Sequence, residues 1–132
     1  MKLLSILYLA DFDQSDDDCF FEMTSDGLFN LKSFSISSCT QLRNPDFVFL
    51  TSIENLEIRG CNIYSICGFQ DSIHLTEVKI FFCEYLKDIS DLYLISHQLD
   101  VIDFTGCKRI NPSSFEKVIL TLALTLALYS FL

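Results

Sequence analysis

The cysteines are the residues of this sequence with the widest chemical scope, because thiolates act as metal ligands and as redox nucleophiles. Four of the six recur at intervals of 22, 22 and 24 residues: Cys39, Cys61, Cys83 and Cys107. Zinc sites use closely spaced pairs, and the sequence has no Cys-x-x-Cys. An even count would allow a disulfide framework, but the regular spacing favours a structural ladder of reduced, buried thiols in an intracellular protein. We expect no metal and no cofactor; Cys19 and Cys67 fall outside the series.

Carboxylates are concentrated near the start of the chain, in a stretch without Lys or Arg: Asp11, Asp13, Asp16, Asp17, Asp18, Glu22 and Asp26. A calcium loop needs alternating ligands, a central glycine and a distant glutamate, and this pattern is absent from 13–18. Blocks of like charge are usually solvated. The stretch is therefore predicted to be an acidic loop, inserted over residues 11–27.

Other catalytic signals are missing. His74 and His97 lie outside any metal-binding or nucleophile motif, and we expect both in turns. Gly60 and Gly106 each precede a ladder cysteine, and no glycine-rich phosphate loop is present. The sequence predicts a protein that is not an enzyme.

Each ladder cysteine ends a phrase of the form apolar-x-x-apolar-x-apolar-x-x-Cys. The phrases occupy residues 31–39, 53–61, 75–83 and 99–107. Their period lies in the range of leucine-rich repeats. The template also fits Leu4, Leu7, Leu9 and Phe12 at one end and Ala123, Leu126, Leu128 and Phe131 at the other. We therefore predict an α/β fold, a leucine-rich repeat solenoid of about six units that makes residues 1–132 one domain, with 118–132 as an apolar capping repeat.

The segments between the phrases are predicted to cover the convex side of the solenoid, opposite a parallel sheet on the concave side. Their apolar residues recur at three and four positions, which suits short helices or turns. Pro45 and Pro112 are expected at the starts of two of them. The segment with Cys67-Gly68-Phe69 is expected to form a tighter loop.

Strand alternation places the residues beside each inward pair on the concave face, in three columns. The columns are Ile6, Ser33, Asn55, Glu77 and Val101; Tyr8, Ser35, Glu57, Lys79 and Asp103; Ala10, Ser37, Arg59, Phe81 and Thr105. Lys79 between Glu57 and Asp103 predicts an opposite-charge ladder. Arg59 beside Phe81 has the composition of an interface anchor. The predicted protein-binding residues are Glu57, Arg59, Glu77, Lys79, Phe81 and Asp103.

The net charge of −9 argues against nucleic acid as a partner. Residues 1–10 could be a short secretory signal, but they also complete a repeat, which we favour. The run from Val118 to Leu132 is uncharged and alternates with the period of a strand. A membrane tail anchor is the alternative for this run, so membrane association through it, or through partners, stays open.

The cysteine-containing phrases resemble the leucine-rich repeats of F-box substrate receptors and of a mitochondrial family. Residues Ile58–Cys107 are most similar to ATP synthase subunit s (coupling factor B) and its relative, the distal membrane-arm assembly protein of respiratory complex I. The similar features are Cys61-x-Ile63, Gly68-Phe69, Leu75-x-x-Val78-x-Ile80-x-x-Cys83-x-x-Leu86-x-Asp88-x-x-x-Leu92 and the unit ending at Cys107.

This resemblance implies a non-catalytic protein at the inner mitochondrial membrane that helps to assemble or couple respiratory complexes or ATP synthase. Two alternatives stay open. One is a cytoplasmic substrate-recognition module of an F-box ubiquitin ligase, and the other is a membrane-anchored surface repeat protein. All three act by binding protein partners.

Overall fold

A computed structural model describes residues 4–11 and 16–120 of the chain. Within them, five short strands form one parallel sheet, and their spatial order follows the chain. The strands are β1 (Ile6–Ala10), β2 (Ser33–Ser37), β3 (Asn55–Arg59), β4 (Glu77–Phe81) and β5 (Val101–Asp103). The predicted α/β class with a parallel sheet is confirmed. Phe12 and the positions of the predicted sixth unit, 123–131, lie outside the described residues.

The five strands pair without any slip in register. Ile6, Ser33, Asn55, Glu77 and Val101 are lateral neighbours at the start of the strands. In β2, β3 and β4 the second and fourth residues are buried, and the flanking residues are at least partly exposed. Because a slip of one residue would exchange the two faces, burial of the apolar pairs fixes the register.

Each strand ends in a turn with a left-handed residue just before the ladder position. These residues are Asp11, Ser38, Gly60, Phe82 and Gly106, with φ between 54° and 79°. The backbone N–H of Ser38 donates to Arg59 O at 2.9 Å, and that of Gly60 donates to Phe81 O at the same distance. The turn therefore continues the sheet hydrogen bonding by one residue before the chain bends inward at the ladder position.

The acidic stretch contains a helix that the sequence did not predict. α1 (Asp17–Ser25) follows the N-cap Asp16, whose carboxylate accepts the Cys19 N–H at 2.9 Å. Phe20 on α1 is fully buried, with ring centroids 5.9 Å from Phe34 and 5.4 Å from Phe47. The prediction of a solvated inserted loop over 11–27 is therefore wrong at residues 17–25. Asp16 caps the helix, the Asp17 carboxylate accepts the Arg43 and Asn44 N–H groups at 2.9 Å, and the apolar side of the helix closes the core.

The segments on the side of the core opposite the sheet are mostly turns. A 3₁₀ helix covers Ser90–Gln98, and the chain is helical at 112–120, here named α2. Pro112 lies at the start of α2, as predicted, and the Asn111 side chain accepts the Ser113 N–H at 3.0 Å as an N-cap.

The segment after Pro45 forms a turn at 48–49, one of the two forms predicted, and Asp46 in it forms a β-bridge with Cys67. Two other predictions for this side of the molecule are wrong. His74 lies in a turn, but His97 is part of the 3₁₀ helix. Residues 118–120 are helical rather than extended, because the capped helix that starts at Pro112 continues through them.

The core lies between the sheet and these segments. A row of phenylalanines runs through it, with Phe47 and Phe69 stacked at 5.2 Å between centroids. Burial is weaker at the two ends of the described sheet. Leu7, Leu9 and Ile102 are only partly buried, and Leu4, predicted to point into the core, is 48% exposed. β1 is an edge strand of the described sheet, so residues near its start have a neighbouring strand on one side only.

Candidate functional site

The outward residues of the five strands form one continuous, mainly polar face, here called the sheet face. The strand register places Ser35 beside Glu57, Glu57 beside Lys79, and Lys79 beside Asp103. The first two predicted columns are therefore present as written, and the third runs from Ala10 to Phe81. Thr105 lies beyond the end of β5, so it is not part of the strand pairing.

Arg59 and Phe81 are in direct contact on this face. The Arg59 guanidinium carbon lies 4.5 Å from the centroid of the Phe81 ring, and an Arg59 Nη donates to Glu57 Oε1 at 3.1 Å. The second oxygen of Glu57 accepts the Ser35 hydroxyl at 3.1 Å. The four side chains lie on β2, β3 and β4, and the Arg59 guanidinium is held by both Glu57 and Phe81. We call Ser35, Glu57, Arg59 and Phe81 the arginine cluster.

The predicted opposite-charge ladder does not form as ion pairs. Among residues 4–11 and 16–120, the single salt bridge joins Glu57 to Arg59, two residues along β3, and not to Lys79 across the sheet. The Asp103 carboxylate accepts the Thr105 N–H at 3.0 Å and the Thr105 hydroxyl at 2.5 Å. These two hydrogen bonds, with a smaller contribution from Lys79, lower the pKa of Asp103. Lys79 is thus left without an ion-pair partner in the described part of the chain.

A shallow hollow of about 330 Å³ lies on the sheet face toward β1. Its wall includes Tyr8, Ser33, Asn55, Glu77 and Lys79. Ile6 also lines it and is 69% exposed, while Tyr8 is 64% exposed and shares a 3.2 Å hydrogen bond with the Ser37 hydroxyl. Neither Ile6 nor Tyr8 was predicted as a binding residue, although apolar side chains at outward strand positions were a signal for one.

The ladder cysteines form a chain of sulfur contacts behind the strand ends. The Cys39 N–H donates to Cys61 Sγ at 3.4 Å, and the Cys61 thiol lies 3.6 Å from Arg59 O. Burial raises the pKa of Cys61 to about 11. Cys39, Cys61 and Cys83 are buried as predicted, but Cys107 is only half-buried. None of the six cysteines, all of them described, is in a disulfide.

Groups that could support metal chemistry do not converge in the described ranges. No set of three or more His, Cys, Asp or Glu side chains there is arranged to hold a metal ion. His74 and His97 are both exposed. In the same ranges, no helix has the length and apolar character needed to cross a bilayer.

Comparison of this chain with protein-family models, with curated proteins and with solved structures finds no match. The geometry of the sheet face therefore carries the functional assignment.

Proposed function

We propose that this chain is a leucine-rich repeat solenoid and that its sheet face is the concave, protein-binding surface. The proposal is supported by strands that recur every 22 to 24 residues along most of the array and pair in chain order. The repeated left-handed turn before the ladder position adds to this support. Such an array acts without catalysis, by presenting side chains from successive units to a partner.

The arginine cluster is the observation that carries the binding proposal. Arginine and aromatic residues dominate binding hot spots, and the energy lost on binding is smaller when a side chain is already held in place. Arg59 is held by Glu57 and Phe81, yet it remains exposed. The partner contacts are proposed to be Glu57, Arg59, Glu77, Lys79, Phe81 and Asp103, with the unpaired Lys79 ammonium available to a carboxylate of the partner.

The biological role that we propose is assembly or coupling of mitochondrial respiratory complexes or ATP synthase. It is supported by the resemblance of Ile58–Cys107 to the ATP synthase subunit s family. The resemblance lies in core and turn residues, which include Ile63, Gly68 and Leu86. The outward residues of the sheet face are not part of it.

The experiment is affinity purification of the tagged chain from fractionated cells, followed by mass spectrometry. We expect subunits of ATP synthase or respiratory complex I to be recovered from mitochondria. Recovery of F-box adaptor and cullin subunits from cytosol would replace this role with the ubiquitin-ligase alternative. Recovery of the chain from membranes with neither set would favour the surface-protein alternative.

The sheet face is then tested with the double variant Arg59→Ala, Phe81→Ala. We expect a loss of partner affinity of at least about 30-fold, because truncating a hot-spot residue costs about 2 kcal/mol or more. Thermal stability should change little, since an exposed cation–π pair contributes only about 0.5–1 kcal/mol.

The matched control is Arg109→Ala, Tyr85→Ala. This pair has the same chemistry, with the guanidinium 5.4 Å from the ring centroid, but lies outside the sheet face. Unaltered affinity in the Arg59, Phe81 variant, or an equal loss in the control, would refute the assignment of the sheet face.

A further inference from the structure

Cys83 and Cys107 are the last two members of the ladder; the Cys107 thiol donates to Ile80 O at 3.3 Å, and the Cys83 thiol donates to Phe81 O at 3.6 Å. They follow β4 and β5, which are paired strands. Both sulfurs therefore lie at the carboxyl end of β4, against the carbonyls of two consecutive residues.

Cys107 differs from the other ladder cysteines in its access to solvent. It lines a cavity of about 440 Å³ at the β5 end of the sheet, together with Ile102, Phe104 and Phe115. Cys83 lies directly behind it and is fully buried. A small oxidant entering this cavity reaches Cys107 first and Cys83 second.

We propose that Cys83 and Cys107 form a reversible, peroxide-sensitive dithiol, with Cys107 as the thiol that reacts and Cys83 as the one that resolves. In the first step the Cys107 thiolate attacks one oxygen of the peroxide. An S–O bond forms, the O–O bond breaks and hydroxide leaves, so sulfur is oxidised and peroxide is reduced. In the second step Cys83 attacks the sulfenic sulfur; an S–S bond forms, the S–O bond breaks, and the oxygen leaves as water with the Cys83 proton. A dithiol reductant reverses the change.

The difference in access determines this division of roles, and the electrostatics of the pair run in the same direction. Hydrogen bonds from the Cys83 thiol and the Cys83 backbone N–H stabilise a Cys107 thiolate and lower the pKa of Cys107. Burial and the Asp103 carboxylate oppose this effect, and Lys108 lies beside Cys107 in the cavity wall. The same thiol hydrogen bond, together with burial, raises the pKa of Cys83.

The chain supplies its own control in Cys39 and Cys61. This pair occupies the equivalent positions two units earlier, with the same type of N–H to sulfur contact, but both thiols are buried. If position in the ladder alone determined reactivity, the two pairs would behave alike.

The test uses the full chain with Cys19→Ser and Cys67→Ser, which removes the exposed and off-ladder thiols. The folded protein is treated with hydrogen peroxide near neutral pH, alkylated after denaturation, and digested with trypsin. Cleavage at Lys and Arg places the four ladder cysteines in four different peptides. We expect peptides 80–87 and 88–108 to become disulfide-linked, at least about tenfold faster than Cys39 or Cys61 is lost, since the rate follows thiolate fraction and access.

Two single variants separate the roles. Cys107→Ser should abolish peroxide consumption by the ladder, whereas Cys83→Ser should leave a Cys107 sulfenic acid that dimedone traps. Where a variant does not fold, the comparison of the two pairs in the parent chain still decides. Four intact thiols after treatment, or oxidation of Cys39 and Cys61 at the same rate as Cys83 and Cys107, would overturn the proposal.

Discussion

Replacing Phe20 with alanine tests whether the acidic stretch is a core element or a solvated loop. Phe20 is fully buried on α1 and contacts the rings of Phe34 and Phe47 edge to face. Phe→Ala in a core costs about 3–5 kcal/mol. Because Phe20 contacts two rings, and each aromatic pair is worth about 0.5–1.5 kcal/mol beyond its burial, we expect about 4 kcal/mol.

The next residue provides the matched control. Phe21 is 45% exposed and has a single ring neighbour, Phe49, at 5.0 Å. Its burial is about half as complete, so Phe21→Ala should cost about 1–1.5 kcal/mol. Both changes remove the same side chain from the same helix, so the difference in helix propensity cancels.

The assay is equilibrium urea unfolding of the parent chain and the two variants. With a slope of about 2 kcal/mol per M, Phe20→Ala should lower the midpoint by about 2 M and Phe21→Ala by less than about 0.8 M. If Phe20→Ala does not fold, Phe20→Leu should be folded and lose less, because it retains most of the volume. Equal midpoint shifts for Phe20→Ala and Phe21→Ala, or a Phe20→Ala loss under about 1 kcal/mol, would show that α1 does not close the core.

Two further predictions concern the turns and caps. Gly106→Ala should destabilise the fold by at least about 1 kcal/mol more than Gly60→Ala. Both glycines have positive φ, so the backbone strain is similar. A Cβ at Gly106 would meet the Phe82 ring, with Cε1 at 2.9 Å, whereas the atom nearest to a Cβ at Gly60 is Ser38 Oγ at 4.0 Å. Urea midpoints measure this difference, and Phe82→Ala should recover most of it; no recovery would mean that the ring contact is not the cause. The parent chain should be more stable than Asp16→Asn above pH 3.8, the ordinary pKa of an aspartate, and should lose this advantage as the pH falls below 3.8. The reason is that the Cys19 N–H lowers the pKa of Asp16 in the folded state. Urea unfolding as a function of pH measures this difference in stability. A difference that grows on acidification would contradict the role of Asp16 as N-cap.

The sheet could be predicted from sequence because two periods agree. The two-residue alternation inside each phrase determines which side chains are buried, and the spacing of about 22 residues determines which strands are neighbours. Leu56 and Val78, for example, are paired and fully buried, and a slip of one residue would turn one of them outward. The columns of the sheet face followed directly from these two periods.

The contacts within the face could not be predicted in the same way. Glu57 has Lys79 beside it across the sheet and Arg59 two residues along its own strand, and the sequence does not rank these partners. The structure pairs it with Arg59, whose guanidinium also covers Phe81. The helix α1 was missed for another reason. Its carboxylates dominate the composition of the stretch, although Asp16 among them is the N-cap, and Phe20 provides most of the burial.

The ladder cysteines show how one residue type at one repeated position acquires different chemistry. A thiol in the middle of the array has a unit on each side, so burial raises the pKa of Cys61 and shields it from solvent. Cys107 has the unit that contains Cys83 on one side. On its other side is the cavity that Phe104 and Phe115 also line. The interaction with Cys83 lowers the pKa of Cys107, although burial opposes it. We therefore expect reactivity in such a ladder to depend on which neighbours cover each position, and the Cys39–Cys61 comparison measures that effect within a single protein.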